Sequence, residues 1–175
     1  MTDRRSFLKT SSIITAGAGI ASMLPIDLLA SAGKKVAPSD RIRIAAIGVN
    51  GMGFADLESM LKNSEVTVAN ICDVDEHVLK SRSADLAKKG IKVTTQTDYQ
   101  KVLDDKSIDA VIIGAPDHWH CKIMVDASAA GKHVYCEKPS GHSIEECNIM
   151  IAAQKKYGNV VQVGQWQRSQ KHFKD

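Results

Sequence analysis

The sequence predicts a doubly wound α/β fold on a parallel sheet, from three observations. Short continuous apolar runs recur along the chain, the pattern of strands buried on both faces. A segment of helical spacing follows almost every run, so consecutive strands are joined by right-handed crossovers. The connections between them are short and marked by glycine or by capping acids.

Ile42 to Ile47 is the first strand, and Phe54 to Lys62 has helical spacing after a glycine-rich turn. Val66 to Cys72 is strand-like, and Glu76 to Lys89 is a helix stopped by Gly90. Lys92 to Thr95 is a short strand, Tyr99 to Leu103 a helix, and "AVIIG", Ala110 to Gly114, the strongest strand pattern in the chain. His118 to Ala130 is a helix ended by Gly131. "HVYCE" is then a strand, "SIEECNIMIAAQKKYG" a helix, and "VVQVG" the last strand.

The chain has 175 residues, 43% of them hydrophobic and 25% charged, enough to bury one ordinary core. Its net charge of +3 is small and scattered, with the lysines of "DLAKKGIK" and "AQKKYG" at helix ends. No basic stripe marks a nucleic-acid partner. Cys72, Cys121, Cys136 and Cys147 lack metal-site spacing, and three of them fall in apolar segments, which reads as buried free thiols.

Residues 1–32 read as an address rather than as fold. "TDRRSFLKT" carries the paired arginines Arg4 and Arg5, followed by a modest apolar run and the small-residue exit "ASA", Ala30 to Ala32. That predicts the twin-arginine export machinery as a partner and the periplasm as the destination. An amphipathic helix with an accidental arginine pair is the competing reading. The run "SSIITAGAGIASMLP" is too short and too rich in small residues for a span, which needs about twenty apolar residues. A polar linker, 33–40, then leads into a domain read at 41–165, with 166–175 beginning a crossover.

The stretch "IGVNGMGF" ends the first strand in a dinucleotide-type loop, with Gly48 first, Asn50 in place of the second glycine, Gly51 and Met52 between, and Gly53 last. Asn50 is expected to take the left-handed backbone of the turn. Gly53 lets the following helix lie close, so that its free N–H groups face a diphosphate. A purely structural turn is the alternative. Asp73, twenty positions past Gly53, ends the second strand where the fold places an acid against the adenosine ribose. Asp73 could instead cap the next helix, although Asp75 is better placed for that. A carboxylate there repels a 2′-phosphate and Val74 to His77 holds no arginine, so NAD is favoured over NADP.

Three segments, "IGVNGMG", "APDHWH" and "CEKP", resemble the Gfo/Idh/MocA oxidoreductases, which contain glucose-fructose oxidoreductase and inositol dehydrogenase. The resemblance covers the chain from the linker onward. It implies a Rossmann domain that binds NAD, with Pro116, Asp117, His118, Trp119 and His120 lining the cofactor crevice. His118 and His120 as a metal pair is poor zinc geometry with no third ligand, and Trp119 as a plain core aromatic is the other reading. The resemblance also places Lys138 beside the nicotinamide, partly desolvated and acting on the substrate hydroxyl, with Glu137 contacting cofactor. A solvated strand-end lysine is the bland alternative.

"GQWQRS", Gly164 to Ser169, resembles the family's crossover, where Gln165 approaches the nicotinamide. Family members continue into a sheet domain that binds a sugar or cyclitol and supplies a further Asp and His, and a homo-oligomer is a further expectation. NAD-dependent glycosidases that resemble this family, oxidising and re-reducing one sugar in a cycle, are the second enzyme reading, and their motif departs from Lys138. The third reading is an exported nucleotide-binding module without catalysis.

Overall fold

A computed structural model of the chain describes Ala37 and residues 40–170. The leader read at 1–32, most of the linker and residues 171–175 lie outside the described residues.

Six strands, β1 (Ile42–Ile47), β2 (Val66–Cys72), β3 (Thr94–Gln96), β4 (Ala110–Ile113), β5 (His133–Glu137) and β6 (Val161–Gly164), form one sheet in the order β3-β2-β1-β4-β5-β6. Every pairing is parallel. Five helices connect them: α1 (Met52–Met60), α2 (Glu76–Lys88), α3 (Tyr99–Asp104), α4 (Asp117–Ala129) and α5 (Ile144–Tyr157). A 3₁₀ turn, Trp166–Ser169, follows β6. The strand order reverses between β1 and β4, and a crevice opens at such a point beyond the carboxyl ends of the strands.

Side chains on a strand alternate between faces, and the two cores divide accordingly. Ile44, Ala46 and Ile112 pack with Leu57 of α1 and with Leu79 and Leu86 of α2. Ala45, Ile47, Val111 and Ile113 pack on the other face with Ile123 and Met124 of α4 and Met150 of α5. Burial on both faces is why these strands read as unbroken apolar runs. Cys72, Cys121 and Cys136 are buried and Cys147 half-buried, all as free thiols. Burial pushes Cys72 and Cys136 up to about 12, which leaves them inert as nucleophiles.

Two boundaries differ from expectation in an instructive way. The first helix begins at Met52, two residues before the expected Phe54, and takes Gly53 into its first turn. The third strand lies at Thr94–Gln96, not at Lys92 to Thr95. It pairs only with Asn70 to Cys72 of β2, and the Asn70 side-chain amide donates to Thr94 Oγ1 at 2.7 Å. An edge strand takes its span from its neighbour, not from its own pattern.

Candidate functional site

Gly48 follows β1 in the left-handed region, φ 82°, and donates its N–H to the Cys72 carbonyl at 2.8 Å. No described non-glycine residue has a positive φ. This corrects the expectation for Asn50: Gly48 makes the turn, and glycine does so without the Cβ penalty. A Cβ on Gly53 would overlap the Gly48 carbonyl oxygen and lie 3.1 Å from Gly114 Cα. Gly114, just past β4, is the facing half of that contact. Three glycines thus let α1 sit directly on the ends of β1 and β4.

No side chain caps α1 at Gly51, so the N–H groups at its start are left for an anion. Asp73 lies against the same loop, where Oδ2 accepts from the Val49 N–H at 2.8 Å and Oδ1 from the Asp75 N–H at 3.2 Å. Asp75 is the residue that caps α2, accepting from the His77 N–H at 2.8 Å. Asp73 is therefore free of the capping role and still has lone pairs to offer a ribose.

Between the ends of β1, β2 and β4 lies a cavity of about 510 Å³, walled by Gly48, Asn50, Asp73, Pro116, Trp119 and Tyr99 among others. Trp119 is 45% exposed, so it is a wall of the cavity and not a core aromatic. Tyr99 meets it edge-on, with ring centroids 6.4 Å apart, and is itself held by a 2.7 Å hydrogen bond from its hydroxyl to Asp126. Apolar walls, a ribose-type carboxylate and a helix start suit a dinucleotide better than they suit a bare turn.

A second cavity, at the ends of β5 and β6, is lined by Met52, Lys138, Pro139, Gly164, Gln165 and Trp166. Lys138 is exposed there. The described residues do not supply the desolvation expected of it, because its turn lies at the open carboxyl edge of the sheet.

The remaining expected positions sit elsewhere. His120 is buried, with Nδ1 2.7 Å from the Pro139 carbonyl oxygen and Nε2 2.7 Å from that of Ala115. It ties the Pro116 turn to the Lys138 loop and lines neither cavity. His118 is exposed, and Asp117 faces outward to His142 at 3.3 Å, a contact that holds the Asp117 carboxyl below its ordinary range. Among the described residues no group of three His, Cys, Asp or Glu side chains is placed to hold a metal ion.

Glu137 is turned inward instead of toward either cavity, 3% exposed, its Oε2 accepting from the Lys138 N–H at 3.2 Å. A Cβ on Gly164 would overlap its Oε1. It faces two groups that sequence reading passed over, Asp56 of α1 and Tyr135 of β5. Burial first, and the Glu137 charge second, push Asp56 up to about 6. Burial also leads in pushing Tyr135 up to about 12, with both acids adding to it. Burial and the neighbouring Glu137 charge both favour the protonated form of Asp56.

A folded-state pKa raised above the unfolded value means the stability contribution is full below about pH 4 and is lost as pH rises through about 6. Asp56→Asn, which presents an N–H to Glu137 at every pH, is expected to flatten that fall. Denaturant melts from pH 4 to 8 check it, and a variant with the wild-type slope would remove Asp56 as its source.

Asp73→Ala is expected to weaken NAD binding by about 1 to 3 kcal/mol, through the lost carboxylate bonds and a loosened Val49 amide. Isothermal calorimetry reads this directly. Unchanged affinity would place the ribose elsewhere.

A doubly wound sheet with a glycine-hinged helix start and an acid at the end of β2 defines a dinucleotide-binding domain. Residues 42–165 match the family model described as an oxidoreductase family with an NAD-binding Rossmann fold, and the chain belongs to that Gfo/Idh/MocA family. NAD is its cofactor. It is 32% identical to an α-N-acetylgalactosaminidase of Shewanella oneidensis over 89% of this chain and 38% of that protein. Among solved structures, myo-inositol 2-dehydrogenase from Lactobacillus plantarum superposes with a TM-score of 0.68 at 28% identity, over 75% of this chain and 38% of that one. The fold is shared as well by scyllo-inositol dehydrogenase from Lactobacillus casei, solved with NAD(H) and scyllo-inositol, with a TM-score of 0.68 at 24% identity over 77% of this chain and 39% of that one. The chain thus spans about two fifths of the length of these proteins.

Proposed function

We propose that the chain is the NAD-holding half of an exported enzyme that transfers hydride between a secondary hydroxyl of a sugar or cyclitol and NAD. The observation that carries this is the placement of Lys138 and Gln165 in one cavity with Met52, at the start of the helix that receives the diphosphate. When bound, NAD supplies the hydride acceptor. The chain's own residues do the rest. The loop amides and Asp73 bind and orient the dinucleotide, Trp119 and Pro116 wall its adenosine end, and Lys138 Nζ binds and polarises the substrate hydroxyl. Substrate selection belongs to a further domain of the kind the relatives' length leaves room for. The export reading rests on Arg4, Arg5 and the run after them, and makes the periplasm the site of action.

The 32% identity to an α-N-acetylgalactosaminidase favours a second reading, in which the same hydride step is reversed within each cycle and a glycosidic bond is cleaved. One experiment separates the two. NADH release with inositols and sugar alcohols is measured beside cleavage of a chromogenic α-N-acetylgalactosaminide. Net NADH without cleavage supports the dehydrogenase, and cleavage without net NADH supports the glycosidase. Absence of both in NAD-binding protein that carries that further domain would overturn the hydride-transfer proposal in favour of a binding module.

A further inference from the structure

One cation in the structure is committed to the cofactor loop from outside the cavity. Arg82, on the second turn of α2, donates from Nη2 to the Asn50 carbonyl at 2.7 Å and from Nε to the Val49 carbonyl at 3.2 Å. Its Nη1 lies 3.6 Å from Asp85 on its own helix, and its guanidinium carbon sits 4.5 Å over the Phe54 ring of α1. Its Nε and Nη2 donors are thus both committed to the loop. Arg82 is absent from the walls of the first cavity, whereas Asn50 is in them.

The consequence follows from peptide geometry. In a trans peptide the C=O and the next N–H point in opposite directions, and the one described cis bond is Lys138-Pro139. With the Val49 and Asn50 carbonyls drawn toward α2, the N–H groups of Asn50 and Gly51 are aimed away from it. Neither donates to any described protein acceptor. On the same loop, the Val49 N–H is already taken by Asp73. Two successive free amides, with their carbonyls gripped from behind, are left to receive an anion.

We propose that Arg82 is a positioning residue for the diphosphate of the dinucleotide: without touching the cofactor, it fixes the Asn50 and Gly51 peptides so that their N–H groups receive the phosphate oxygens. The planar fork matters as much as the charge, since a lysine ammonium is a point charge on a flexible stem that does not reproduce two parallel donors to consecutive carbonyls. The inference rests on the dinucleotide reading of the loop, and its consequence is selective. Ligands with a diphosphate depend on Arg82, and ligands held only by the adenosine end do not.

The test measures affinity of the full chain for NAD and for adenosine by calorimetry, in wild type, Arg82→Met and Arg82→Lys, with thermal melts alongside. Arg82→Met is expected to lose NAD affinity about tenfold while adenosine affinity is retained. Arg82→Lys, which keeps the charge on an unbranched stem, is expected to fold as wild type and to resemble the Met variant. Three outcomes overturn the proposal: retained NAD affinity in both variants, equal losses for NAD and adenosine, or full NAD affinity in Arg82→Lys, which would reduce the role to charge alone. Wild-type protein that binds neither ligand would overturn it together with the dinucleotide reading, whereas wild-type binding of both without separation by the variants overturns Arg82 alone.

Discussion

Replacing Lys138 with alanine, in the form of the protein that turns over substrate, is expected to cut kcat by about 10² to 10⁴, the range for removing a general acid or base from a proton transfer. NAD affinity should stay nearly unchanged. The split follows from position. Lys138 sits on the turn after β5, in the cavity it shares with Gln165 and Trp166, apart from Gly48, Asp73 and Trp119 at the other end of the crevice. The main chain at Lys138 is held independently of its ammonium, since its N–H donates to the buried Glu137. Removing the side chain therefore deletes chemistry and leaves the loop in place. Stopped-flow hydride transfer and calorimetry on one preparation check the two halves of the expectation. A variant with wild-type kcat would dismiss the lysine from the reaction.

Gly53→Val carries the largest expected effect on the fold, a loss on the order of 3 kcal/mol in stability with NAD binding abolished. Added side-chain atoms meet backbone on two sides, the Gly48 carbonyl and Gly114 Cα, and backbone cannot swing aside as a flexible side chain can. The only relief is to lift α1 off β1 and β4, which also withdraws the amides at its start. Gly51 is the control. A Cβ there meets nothing within 4 Å, so Gly51→Ala should keep most of the stability that Gly53→Val loses. Chemical denaturation and NAD titration of both variants decide it, and comparable stability in the two would mean that the close approach of α1 is unimportant.

The buried acid pair joins these two regions. Asp56 stands on the helix whose start offers the loop amides, and Glu137 adjoins Lys138. The pH dependence expected for Asp56→Asn reads how strongly the Glu137 charge and burial act on Asp56.

Much of this architecture was legible in one dimension. The strands announced themselves because burial on both faces requires unbroken apolar runs, and Gly90 and Gly131 ended helices because a left-handed residue is cheap only for glycine. Asp75 as a cap followed from its spacing to the helix it begins, and the structure bears that out. The placement of Asp73 against the glycine loop was equally readable, since both lie at the ends of adjacent parallel strands. Each of these depends on residues close in sequence or on a topology with few alternatives.

What only tertiary structure decided was where side chains point once distant segments meet. His120 and Glu137 were read into the crevice, yet one ties two loops together and the other turns inward under Gly164. Arg82 reaches carbonyls more than thirty residues upstream, and Asp56 finds Glu137 across the space between α1 and β5. Buried Lys132 likewise gives its ammonium to the Asp105 and Ile108 carbonyls. The sequence by itself determined the order of elements, the turn at the first strand and the acid beside it, because local backbone preferences and periodic burial are properties of short stretches. The partners of buried polar groups are not such properties. They are selected by which desolvated donors and acceptors packing happens to bring within hydrogen-bond reach, and that depends on the whole fold.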